Sequence, residues 1–168
     1  MGLILNKKIR MLMKGYPTVS DKYNVAGGTL AGNTPVYFGQ LVKFSETKGL
    51  FEAITAEVTV DKIAGFVLAT NVKLNEVWPE GEVRVNPGEA FNLAINNTFM
   101  AIELAAGSTE AQIIANAQVF VKLEDGTITT PDKTAEKIVA LPNVYFTGTY
   151  ENVGTTDAPK YLAEIYIK

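Results

Sequence analysis

The chain has 168 residues, 47% of them hydrophobic and 20% charged, which describes a globular chain able to bury one substantial core. It contains no Cys and no His, which excludes disulfide staples, Ser-His-Asp and Cys-His catalysis, and the commonest ligands of zinc, haem and copper sites. The net charge of −3 is unevenly placed: residues 1–25 hold five basic residues against one acidic, while the remainder holds 10 basic against 17 acidic.

Residues 1–14 read as a short basic amphipathic helix. Leu5, Ile9, Leu12 and Met13 fall at i, i+4, i+7 and i+8, with Lys7, Arg10 and Lys14 on the opposite face. A helix this short is marginal alone in water, so it is expected to order only on docking. Gly15, Pro17, Gly27, Gly28, Gly32 and Pro35 punctuate the chain beyond it, and predict a loop or extended arm over 15–35. The expected organisation is therefore a basic arm and loop at 1–35, then one β domain at 36–168; residues 1–25 are expected to lie outside the core, and deletion of 1–23 to leave the fold intact. No run approaches the ~18 apolar residues of a membrane-crossing helix, and the apolar run at 3–5 is too short for a secretory signal.

From residue 36 the pattern is of short strands. Runs rich in β-branched and aromatic residues occupy 36–44, 51–55, 63–70, 82–85, 90–95, 98–105, 119–123, 127–129, 138–141, 144–150 and 161–167. Asn86-Pro87-Gly88 reads as a turn, Asn96-Asn97 as a tight hairpin between its flanking strands, and Asp125-Gly126 as a second hairpin. Thr109 and Gln112 have capping-box spacing, which predicts one helical turn within 108–116. The last run, YLAEIYI, alternates Leu162, Glu164 and Tyr166 against Tyr161, Ala163, Ile165 and Ile167, so it should sit in a sheet with two distinct faces. The expected fold is all-β: an antiparallel β-barrel or β-sandwich of about ten short strands, with an N-terminal arm and at most one or two short helices.

Little in the sequence asks for chemistry. The carboxylate pairs Glu80/Glu82 and Glu124/Asp125 flank turn glycines, where charges are solvated rather than tuned. No calcium-loop pattern exists, and Asp157 reads as a turn former. Gly27, Gly28 and Gly32 lack both the Lys-Ser/Thr and the helix that a phosphate loop needs, so they read as a flexible loop. Trp78, the one Trp, is either an interface aromatic or a ring packed over a barrel end. The basic arm is too lightly charged, and the body too acidic, for nucleic acid, and the helix is too short for a membrane surface. Leu5, Lys7, Ile9, Arg10, Leu12, Met13 and Lys14 are instead a candidate docking set for an acidic protein surface. No enzyme activity, metal or cofactor is expected.

The order of themes has a likeness. A Gly-rich opening, VAGGTLAGNTPVYFGQLVKF, precedes IAGFVLATN, and the segment WPEGEVRVNPGEAF lies beyond them. NAQVFVKLEDGTITT comes next, then FTGTYEN and YLAEIYIK. Over residues 24–168 this resembles the decoration, or structural cement, proteins of tailed-bacteriophage capsids. The resemblance implies a small β-barrel or sandwich, often a trimer, that binds the major capsid protein on the outer surface of the assembled head and reinforces it. The chain would be made in the bacterial cytoplasm and end in the virion. The alternative function is a carbohydrate- or receptor-binding β module of a head fibre or tail tip, which would expose Trp78 and several tyrosines together on one face.

Overall fold

The computed structural model describes residues 12, 14–19, 23–69, 84–131 and 137–168. Among them are twelve strands, two single 3-10 turns and no α-helix, so the all-β expectation holds. Strands β1 (Val25–Leu30), β3 (Leu41–Phe44), β4 (Leu50–Ala53), β5 (Ile63–Leu68) and β7 (Ala90–Ala94) close a barrel in the order β1-β4-β3-β5-β7. Strands β8 (Thr98–Glu103), β9 (Gln118–Lys122), β10 (Ile128–Thr129), β11 (Ile138–Asn152) and β12 (Tyr161–Ile167) form a second sheet in the order β10-β9-β11-β12-β8. A two-stranded ribbon pairs β2 (Val36–Tyr37) with β6 (Arg84–Val85). All pairings are antiparallel except β1 with β4.

Period-2 alternation decides where the core lies. In β5, Val67 and the following Ala69 point into the barrel with Val42, Phe51, Phe91 and Leu93. Phe66 and Leu68 point out of it, into a second cluster with Met100, Ile102, Phe146 and Ile165 of the other sheet. β5 is thus buried on both faces, which is why IAGFVL reads as a continuous apolar run. On β12 the split is the one read from sequence: Tyr161, Ala163 and Ile165 join the shared core, and Leu162 faces the other side.

Four expectations need correction. The stretch 15–35 is not a loop throughout, because Val25–Leu30 is a barrel strand paired with β7 and β4, and a boundary at residue 35 cuts into the barrel. Gly28 has a packing reason: a Cβ there would stand 2.2 Å from the Phe51 ring. The run 36–44 is two strands, broken at Gly39 (φ +82), where the Gln40 N–H reaches back to Tyr37 O at 3.1 Å. Thr109 does not cap the 3-10 turn Glu110–Gln112 through its side chain. Its hydroxyl donates to Gln112 Oε1 at 2.8 Å instead.

The fourth correction is the largest. Asn97 takes the positive φ expected of it, at 54°, yet Asn96-Asn97 joins no hairpin. β7 pairs with β1 and β5 in the barrel, and β8 pairs with β12 in the other sheet. The dipeptide is the corner where the chain changes sheets. Thr98, fully buried, fastens that corner: the Asn24 N–H donates to its Oγ1 at 3.0 Å, and the hydroxyl faces Asn24 O at 3.2 Å. Thr98→Val keeps the shape and loses these bonds. Because Asn24 is exposed and can turn to water, the expected cost is about 1 kcal/mol, measurable by urea denaturation.

Other turns are as read. Asp125 Oδ1 accepts the Thr127 N–H at 2.8 Å and Gly126 has φ +72, closing the β9–β10 hairpin. Gly88 (φ +86) and the Glu89 N–H to Asn86 O bond of 3.0 Å make the Asn86-Pro87-Gly88 turn.

Candidate interaction surfaces

The chain before β1 is built into the body. The Gly15 N–H donates to Ala101 O at 2.7 Å, and Gly15 O accepts the Ala69 N–H at 2.8 Å. The Ala101 N–H reaches Tyr16 O at 3.1 Å, and the Thr18 N–H reaches Phe99 O at 3.0 Å. This strap covers the free edge of β8, which would otherwise present unpaired backbone, and ties it to the end of β5. Gly15 is buried against Phe38 and Gly39.

Of the seven candidate arm residues, two are described. Leu12 is buried against Ala101 and Leu162 on the outer face of the second sheet. Lys14 Nζ lies 3.4 Å from Glu103 and 5.9 Å from the centre of the Tyr37 ring. Leu5, Lys7, Ile9, Arg10 and Met13 lie outside the described residues, as do Trp78, Glu80 and Glu82.

The outer face of the second sheet brings together side chains that sequence alone could not group. Glu103, Leu162 and Glu151 stand opposite one another on β8, β12 and β11. Glu164, one row on, accepts the Thr147 hydroxyl at 2.7 Å. Glu103 also meets Lys160 at 3.1 Å. Further along, Phe99, Tyr166 and Tyr145 form a cross-strand aromatic row, with Tyr166 stacked on Phe99 at 4.5 Å. They border a shallow groove of about 490 Å³ with Thr147 and Lys168. The stacking occupies one face of the Tyr166 ring. Only the β12 alternation signalled this face in the sequence; the rows depend on strand register.

The remaining candidates have structural work. Glu124 pairs with Lys137 at 3.5 Å, and Asp125 holds its turn. In the loop before β12 the turn bonds come from Asn152 and Thr155 rather than Asp157. Among the described residues no group of three or more acidic, His or Cys side chains could hold a metal, and no helix is long and apolar enough to cross a membrane.

The Glu52 carboxylate departs from its ordinary behaviour. Ser45 Oγ donates to Glu52 Oε1 at 2.7 Å, and Lys43 lies 3.4 Å from Oε2. The Ser45 bond, helped by Lys43 and opposed by partial burial, holds the Glu52 carboxyl below the usual range. A depressed carboxyl adds stability above its unfolded value and loses it as pH falls through the folded value. Ser45→Ala should therefore move the Glu52 titration upward, so that the acid-side loss begins at higher pH. Carboxyl NMR titration checks this; an unmoved Glu52 would show that Ser45 is not the main cause.

A solved chain from "The capsid of Myoviridae Phage XM1" has the same fold, with a TM-score of 0.63 over 100% of this chain and 97% of that one, at 14% identity. No curated protein matches the sequence. The model of the family described as structural cement protein (E217 gp24/Pam3 gp6) matches residues 7–168. The match runs through the strap, the barrel and the second sheet alike, and the chain belongs to the structural cement protein family, as a capsid-stabilising structural protein.

Proposed function

We propose that this protein binds the outer surface of an assembled phage head as a homo-oligomer, with a trimer favoured, and reinforces the shell without catalysing any reaction. The observation that carries the reading is the family match over residues 7–168. Physically, a cement needs a body that deforms little and a contact repeated many times. The barrel and second sheet share one hydrophobic core, and the strap ties both together. Modest affinity per copy suffices when an oligomer engages several shell subunits at once.

The test is to add the purified protein to phage heads lacking it and to sediment the mixture. The protein should pellet with assembled heads, stay in solution with unassembled shell subunits, and be removable by protease from intact heads. Treated heads should withstand heating that bursts bare ones. Binding to free subunits, or copies shielded inside intact heads, would sink the outer-surface reading.

A further inference from the structure

β3 ends on a side chain that the barrel leaves in solvent. Phe44 shares the inward side of that strand with Val42. It stands one layer further out, at the mouth of the barrel, and is 55% exposed. Among the described residues no aromatic side chain is more exposed. The ring has no room to fold inward. Phe51 lies beneath it, with ring centres 5.8 Å apart, and Phe51 is itself held edge-on against Phe91 at 5.8 Å and close over Gly28. The backbone beside the ring is fixed as well. The Ser45 N–H donates to Leu50 O at 3.1 Å, the Leu50 N–H to Thr47 O at 3.1 Å, and the Thr47 N–H to Ser45 Oγ at 3.3 Å. Glu46 and Lys48 of this turn are exposed, and Lys43 pairs with Glu52 at 3.4 Å on the opposite face of the hairpin.

We propose that Phe44 is an anchor by which this protein grips the assembled shell, its ring entering an apolar depression with a polar rim on a shell subunit. The proposal rests on the reading that the protein binds phage heads, and names a side chain that makes the contact. A large apolar ring held out in one fixed position loses little freedom on binding, which is what an anchor needs. The size of the patch decides between a shell subunit and a second copy. A buried Phe contributes about 150–250 Å², against roughly 800 Å² from each partner in a stable complex. Charges such as those of Glu46 and Lys48 beside it are depleted from interface cores. One ring bordered by charges is too little to hold two copies together. It suffices as one of several contacts that an oligomer makes with a shell.

The test compares Phe44→Ser and Ile114→Ser with the unmodified full-length protein, each sedimented at rising concentration with phage heads lacking it. Ile114 is a matched control, since it is 59% exposed and lies between β8 and β9, away from the hairpin. The half-saturating concentration should rise about thirty-fold for Phe44→Ser, the size of a hot-spot truncation, and stay unchanged for Ile114→Ser. By sedimentation equilibrium, the mass of Phe44→Ser in solution should equal that of the unmodified protein. Unchanged binding, or a loss matched by Ile114→Ser, would overturn the proposal and spare the head-binding reading. A smaller mass would overturn it too, because it places the ring between copies. If the unmodified protein does not pellet with heads, the head-binding reading and the anchor fall together. Should Phe44→Ser melt far below the unmodified protein, hydroxyl-radical labelling of the unmodified chain decides. Oxidation of Phe44 should fall several-fold on heads, and equal oxidation free and bound would remove the anchor.

Discussion

Gly15→Ala is expected to lower the melting temperature by about 10 °C. The residue sits at φ +77, and a Cβ there would stand 2.4 Å from Phe38 Cβ and 2.6 Å from both Phe38 C and Gly39 N. The left-handed conformation costs a non-glycine residue roughly 1–2 kcal/mol. Crowding against backbone, which cannot swing aside as a flexible side chain can, adds about 1–3 kcal/mol. For a chain of this size each kcal/mol moves the midpoint by about 2–4 °C. Gly32→Ala is the matched control. Its φ of +80 is the same, but nothing lies within 4 Å of the added Cβ, so it should show the conformational cost without the clash. Thermal denaturation followed by circular dichroism compares the two. If both variants melt alike, the strap is not pressed against the barrel, and its removal would spare the fold as the sequence suggested.

That contrast shows what the sequence could and could not disclose. Its glycines and prolines marked 15–35 as irregular, which holds at Gly15 and Gly32, but the same signal misread Gly27 and Gly28. Gly28 is small because Phe51 lies over the strand, and a contact 23 residues away leaves no local trace. Asn96-Asn97 taught the same lesson: the positive φ was legible, whereas the partner strands were not, because a turn's backbone does not specify which sheet receives the next strand. Alternation succeeded wherever one strand carried the whole message, as in 161–167. The acidic row needed three strands in register, and register is a tertiary property. Family membership was legible earlier than the site, since it rests on the order of themes along the chain rather than on any side chain's neighbours.

Phe66→Ala should be the most damaging single substitution in the body, at about 3–5 kcal/mol. Its ring belongs to a barrel strand, yet it is 2% exposed in the core that faces the second sheet, beside Met100, Ile102 and Ile165. Truncation would leave a cavity bordered by β3, β5 and β7 on one side and by β8 and β12 on the other. Those strands are fixed by their ladders and cannot close in, so the cost should lie in the upper part of that range. Phe91→Ala, inside the barrel at 7% exposure, is the informative comparison. If the two sheets fold as one unit, the unmodified protein melts in a single transition and both variants keep that single transition at lower temperature. Should Phe66→Ala instead split the melt in two, the shared core is the only link between barrel and sheet, and the strap at Gly15 does not couple them. Calorimetry distinguishes these outcomes, because the ratio of calorimetric to van't Hoff enthalpy stays near one for a single cooperative unit and rises when the halves separate.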